Sequence, residues 1–189
     1  MAFGKDSHVY VANNTSGDIS VIAAPNPNWA IADFLFDIAA LTTGLTEIKS
    51  AVTTAELPAQ IKTFSDLSNL LSVSAKLLSG TLSAGSRQTE AAKAVIEQIN
   101  KKGYKIKNGE FKDVFEKNFL DIYLSPSGYA GLLGAATVTL LIYSNKLVKT
   151  AHFNTDPDKS WLAESQGIWA VKYGSIWQKT GNTPENKWT

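Results

Sequence analysis

Residues 31–52 read IADFLFDIAALTTGLTEIKSAV. Within them Ile31, Phe34, Ile38, Leu41, Leu45, Ile48 and Val52 follow one another at spacings of 3, 4, 3, 4, 3 and 4. That period keeps one apolar seam on a single helical face. The seam must be covered by the rest of the chain, by a partner or by a membrane. The sequence on either side of it has the period of strands. Upstream, Val9 and Val11 share one face, Asn13 to Asp18 is a polar turn cluster, and Ile19, Val21 and Ala23 resume the alternation. This predicts a β-hairpin over 8–24 with a loop longer than two residues. Pro25 and Pro27 end its second strand, since proline supplies no ladder donor.

Asn28 is the expected N-cap of the seam helix, with Gly44 a point where it could break. Pro58 separates it from a second helix, in which Ile61, Phe64, Leu67, Leu71 and Leu78 share a broad face. Ser86 to Lys102 reads as a third, with Ala92, Val95, Ile96 and Ile99 as its stripe. Lys101 and Lys102 suit its C-terminal dipole and Gly103 its cap.

After Gly103 the period shortens. Asn108-Gly109 signals a turn between Tyr104–Lys107 and Phe111–Phe115. Leu120–Leu124, Ala135–Tyr143, Leu147–Phe153 and Ile168–Tyr173 read as strands, and Ser175–Gln178 as an extension past Gly174. From Lys179 the chain turns polar, as a loose tail would. The expected fold is therefore α+β. It is an antiparallel β-sheet or β-sandwich with an inserted three-helix section packed on one side. All of residues 1–189 form one domain, with the helical section at 28–102, the antiparallel strands at 104–178 and the tail at 179–189.

A chain of 189 residues with 44% hydrophobic content can bury a full core without staples. The absence of cysteine excludes disulfides, thiolate nucleophiles and zinc–thiolate sites. It suits a reducing compartment, and the N-terminus shows no Sec-type signal. The expected location is cytoplasmic, or outside the cell by a route without a Sec-type leader. A net charge of +1 gives no long-range field for nucleic acid and little repulsion between copies.

Four of the five tryptophans, Trp161, Trp169, Trp177 and Trp188, fall in the last 29 residues, with Tyr173 among them. An indole offers a large apolar plate and one donor, which suits a sugar face, a protein interface or a bilayer headgroup region. A sandwich core built of aromatics would use the same residues. Trp169, Val171 and Tyr173 alternate and so share a strand face, and Trp188 is placed at the frayed end. The lysine group Lys101, Lys102, Lys105, Lys107, Lys112 and Lys117 is interspersed with acids and reads as a solvated face. Asn154–Ser160 resembles the opening of a calcium loop, but Lys159 stands where glycine is needed, so no metal is assigned. No nucleotide-binding or hydrolase motif occurs, and His8 and His152 have no metal spacing, so neither an enzyme nor a cofactor is expected.

The chain reads as a lectin-like, non-enzymatic module recognising a glycan or lipid headgroup at a membrane surface. Its contacts are Trp161, Trp169, Tyr173 and Trp177. Two other classes stay open. One is a membrane-permeabilising, toxin-like protein whose helical section or uncharged Gly128–Gly134 loop inserts. The other is a structural homo-oligomer whose seam meets a second copy.

Overall fold

The computed structural model describes residues 8–25, 38–53, 57–114, 138–156 and 158–189. The start of the seam at Ile31 and Phe34, the Asn28 cap, Leu120–Leu124 and the Gly128–Gly134 loop lie outside them. Among the described residues there are nine strands and three helices. In chain order they are β1 (Tyr10–Asn14), β2 (Ile19–Pro25), α1 (Ile38–Lys49), α2 (Phe64–Leu78), α3 (Ser86–Lys102), β3 (Tyr104–Ile106), β4 (Phe111–Asp113), β5 (Val138–Ser144), β6 (Lys149–Thr155), β7 (Ser160–Glu164), β8 (Gly167–Lys172) and β9 (Ser175–Lys179).

The fold is α+β in three layers. A four-stranded antiparallel sheet, β3-β2-β5-β6, lies between the helices and a five-stranded sheet, β4-β1-β7-β8-β9. Val9, Val11, Ile19, Val21, Leu140, Ile142, Phe153, Trp161 and Ile168 fill the space between the sheets. Ile22, Leu141 and Tyr143, on the other face of the four-stranded sheet, pack against the helices. This explains why every residue of β5 is buried: the strand is covered on both sides. The five-stranded sheet is mixed, because β1 runs parallel to β7.

The expected hairpin over 8–24 is not formed. β1 and β2 belong to different sheets, so the polar turn is an arch across the sandwich. The apolar residues of both strands face each other across the core instead of lying side by side. The Asn108-Gly109 turn occurs as expected, but it too is an arch, with β4 paired to β1 and β3 to β2. Asn13 locks the two arches together. Its fully buried side-chain amide donates to the Gly17 carbonyl at 2.7 Å and the Ile106 carbonyl at 2.8 Å. Its side-chain carbonyl accepts the Thr15 amide at 3.0 Å and the Thr15 hydroxyl at 2.8 Å. The Gly109 amide donates to the Asn13 main-chain carbonyl at 2.7 Å.

The described part of the seam is covered by the body: Leu41, Leu45 and Ile48 are buried among α2, α3 and the sheet. Fully burying one such side chain contributes about 1.5–3 kcal/mol. α1 does not break at Gly44. A Cβ there would stand 2.8 Å from Val95 Cγ2, so glycine lets α1 approach α3 closely. α2 starts at a capping box, with Thr63 and Asp66 each accepting the other's backbone amide. Its apolar face uses Leu70 and Leu77 with Leu67 and Leu71, while Leu78 turns outward. α3 spans Ser86–Lys102 and buries Ala92, Val95, Ile96 and Ile99, as its period predicts.

Residues after Lys179 are docked and do not form a loose tail. Asn186 exchanges backbone hydrogen bonds with Ile168, and Thr189 with Thr150, so the segment crosses from one sheet to the other. Trp188 donates its indole N–H to the Glu164 carbonyl at 2.6 Å and packs on the inter-sheet core. β9 does not extend β8. It reverses at Gly174, whose φ of +79° is cheap only for glycine, and pairs antiparallel with β8.

Candidate functional site

Among the described residues, the exposed aromatic rings belong to the five-stranded sheet, several of them on its outer face. Strand alternation sends Val9 and Val11 inward and Tyr10 and Ala12 outward. Tyr10 is paired with Ser160, which is paired with Val171. Ala12 is paired with Phe111 on one side and Leu162 on the other, and Leu162 with Trp169. Ala12, Leu162 and Val171 form a small buried cluster on this face, and Trp169 and Ile176 pack over it. Ile176 belongs to β9, so the sheet's last strand curls back over the face it continues.

Around this cluster the rings gather. The His8 ring stacks on Tyr10 at a centroid distance of 5.5 Å. Tyr10 meets Phe111 edge-on at 6.1 Å and Tyr173 at 6.0 Å. Phe111, Tyr173 and Trp177 are 49%, 50% and 48% exposed, far from the near-complete burial of the core aromatics. Between Phe111 and Trp177 runs a cleft of about 540 Å³, lined also by Gly174, Ser175, Ile176 and Gln178. Its lining is mostly apolar, with Ser175 and Gln178 as the polar side chains.

The four residues expected to make contacts are not brought together. Trp161 faces the opposite side of the sheet. It is 2% exposed, its ring packs on Phe153 at 4.7 Å, and its indole N–H donates to Thr155 Oγ1 at 2.9 Å. It is a core residue, because its plate and its donor are both already used. Trp169 is half-buried under the Lys179 ammonium, which sits 4.1 Å from the ring centroid. Lys179 in turn pairs with Glu164 at 2.6 Å. Tyr173 and Trp177 lie on the exposed rim. Tyr173 follows the end of β8 and stands on the Trp169 and Val171 side, against Tyr10.

Tyr10 and Phe111 were not among the expected contacts. The signal for Tyr10 is in the sequence: if Val9 and Val11 face inward, Tyr10 must face outward. Phe111 sits between Glu110 and Lys112 in a charged stretch, a setting that favours an exposed ring.

Two buried polar atoms on this face have no hydrogen-bond partner among the described residues, Ser160 Oγ and Trp169 Nε1. Each such group costs roughly 1–3 kcal/mol of desolvation. The nearby His8–Asp113 pair is satisfied: the His8 ring bonds one carboxylate oxygen while the other accepts the Val9 amide at 3.3 Å. It ties the entry of β1 to β4. His152 is on the far sheet, and desolvation holds its pKa below the ordinary histidine range.

The lysine group is spread over the surface. Lys105 pairs with Asp18 at 3.0 Å, Lys101, Lys102, Lys107 and Lys112 are exposed, and Lys117 lies outside the described residues. In the 154–160 loop Asp156 pairs with Lys159 at 3.3 Å, and Asp158 accepts the His8 amide at 3.3 Å. Among the described residues no cluster of three metal-ligating side chains occurs, and no helix is long and apolar enough to cross a membrane. No known protein family, curated protein or solved structure matches the chain.

Proposed function

We propose that this protein is a non-enzymatic binding module that recognises a pyranose ring, in a free glycan or in a glycolipid headgroup. The contacts are Trp177, Tyr173 and Phe111 on the rim, with Trp169 and Tyr10 behind them. The observation that carries this reading is one cleft walled by two half-exposed rings, Phe111 and Trp177, with a third half-exposed ring, Tyr173, joined to Phe111 through Tyr10. Half-exposed rings forgo about half of the roughly 1.5–3 kcal/mol that full burial would contribute, so three on one side of the molecule mark a surface suited to being covered. A sugar ring presents C–H faces that stack on aromatic plates and hydroxyls that bond a polar rim, here Ser175 and Gln178. Single-stranded nucleic acid also stacks on aromatics, but it needs a positive groove, and a net charge of +1 offers little.

The test is a tryptophan-fluorescence titration against a panel of oligosaccharides, with flotation on phosphatidylcholine vesicles with and without glycolipid. Binding that W177A and Y173A each weaken tenfold or more, about 1.4 kcal/mol, supports the proposal. Flotation only with glycolipid present assigns the ring to a headgroup, and binding in solution alone assigns it to a free glycan. Equal flotation on bare vesicles with dye release would overturn it in favour of a membrane-permeabilising protein.

A further inference from the structure

We propose that the ligand site continues inward beneath β9, into a polar subsite formed by Ser160 Oγ and Trp169 Nε1 that binds a hydroxyl of the stacked sugar. This rests on the reading of the aromatic cleft as a saccharide site. Ser160 is 2% exposed, yet its hydroxyl and the Trp169 indole N–H both lack a partner among the described residues. Buried polar groups in folded proteins are almost always satisfied, so two orphans on one sheet face call for a ligand or an ordered solvent molecule. Ser160 pairs with Val171 and Leu162 with Trp169, which makes Ser160 and Trp169 diagonal neighbours on the outer face, about 7–8 Å apart and within reach of one ligand group. Tyr10, opposite Ser160, closes one side.

Ile176, packed with Trp169 on the adjoining Ala12–Leu162–Val171 cluster, also lines the cleft. Its strand shares two register pairs with β8, Val171–Lys179 and Lys172–Ser175, with an irregularity between Val171 and Lys172, and its far end is tied by Lys179 to Glu164 and by the Thr180 amide to the Ala170 carbonyl at 3.1 Å. Ile176 lies between these ties, and an outward shift of the strand there would join cleft and subsite. One hydroxyl and one N–H then supply an acceptor and two donors, a set that matches a sugar hydroxyl.

The experiment pairs S160A and W169F with thermal denaturation and saccharide titration. S160A removes an unpaired buried hydroxyl, so its melting temperature should equal or exceed that of the parent protein while its saccharide affinity falls about tenfold. W169F keeps a stacking ring, loses the donor and should also weaken binding about tenfold. A lower melting temperature for S160A would show the hydroxyl to be bonded within the fold and overturn the proposal without any ligand. Unchanged affinity in both variants, with W177A still impaired, overturns the subsite alone. A parent protein that binds no saccharide removes the cleft reading and the subsite together.

Discussion

Replacing Asn13 by alanine tests the double arch on which both sheets depend. The side chain is fully buried and makes four hydrogen bonds at 2.7–3.0 Å. The Gly17 carbonyl would keep the Thr15 hydroxyl at 3.0 Å. The Thr15 amide and the Ile106 carbonyl would each lose this partner inside the core. At about 1–3 kcal/mol for each stranded group, the loss comes to about 2–6 kcal/mol. Urea denaturation of N13A should show a lower midpoint with an unchanged slope, because the unfolded surface is the same.

N13D is the sharper probe. It keeps the shape but turns a carboxylate oxygen toward two carbonyl oxygens. Burial and those carbonyls would hold its pKa above the ordinary aspartate value, so the folded state would favour the protonated acid. Stability is then retained at low pH and lost as pH rises through the raised pKa, and the deficit relative to the parent should widen from pH 4 to pH 7. A cost under about 1 kcal/mol for N13A, or a pH-independent deficit for N13D, would refute the bonding scheme.

Trp161→Ala should cost about 3–5 kcal/mol by chemical denaturation, whereas Trp177→Ala should change stability by no more than about 0.5 kcal/mol. Equal costs would mean that the two faces of the sheet have been assigned wrongly. Thr63→Ala removes the α2 cap and should lower stability by about 1 kcal/mol, read by calorimetry as a melting point lower by about 2–4 °C. Lys179→Met loses the Glu164 pair and the contact over Trp169. It should cost less than about 1 kcal/mol, shrink in high salt, and quicken hydrogen exchange in β9; slower exchange would argue against the Lys179 latch.

The helices were legible because each has a sharp local period. α3 could be read residue by residue, from Ser86 to Lys102, since its stripe, dipole lysines and end signals agree. The strands were legible as strands, but their partners were not. Asn13 to Asp18 has the composition of a hairpin turn, and only the packing of Val11 against Val21 across a core makes it an arch. The parallel pairing of β1 with β7 has no local signature. Trp161 and Trp169 illustrate the same limit at the site. Both are strand tryptophans, and what separates them is which face of the sheet meets the second sheet. Gly44 looked like a break because the sequence does not show Val95 waiting beside it.

The parallel ladder joining Tyr10–Asn14 to Ser160–Glu164 links positions 150 residues apart. During synthesis at about 5–20 residues per second, β1 would wait about 8–30 s for its neighbour to be made. Through that interval β1 has an open edge, and a prematurely stopped chain would keep it open for good. The fold thus closes late, and until Ser160–Glu164 has been made the nascent chain holds β1 without its parallel neighbour.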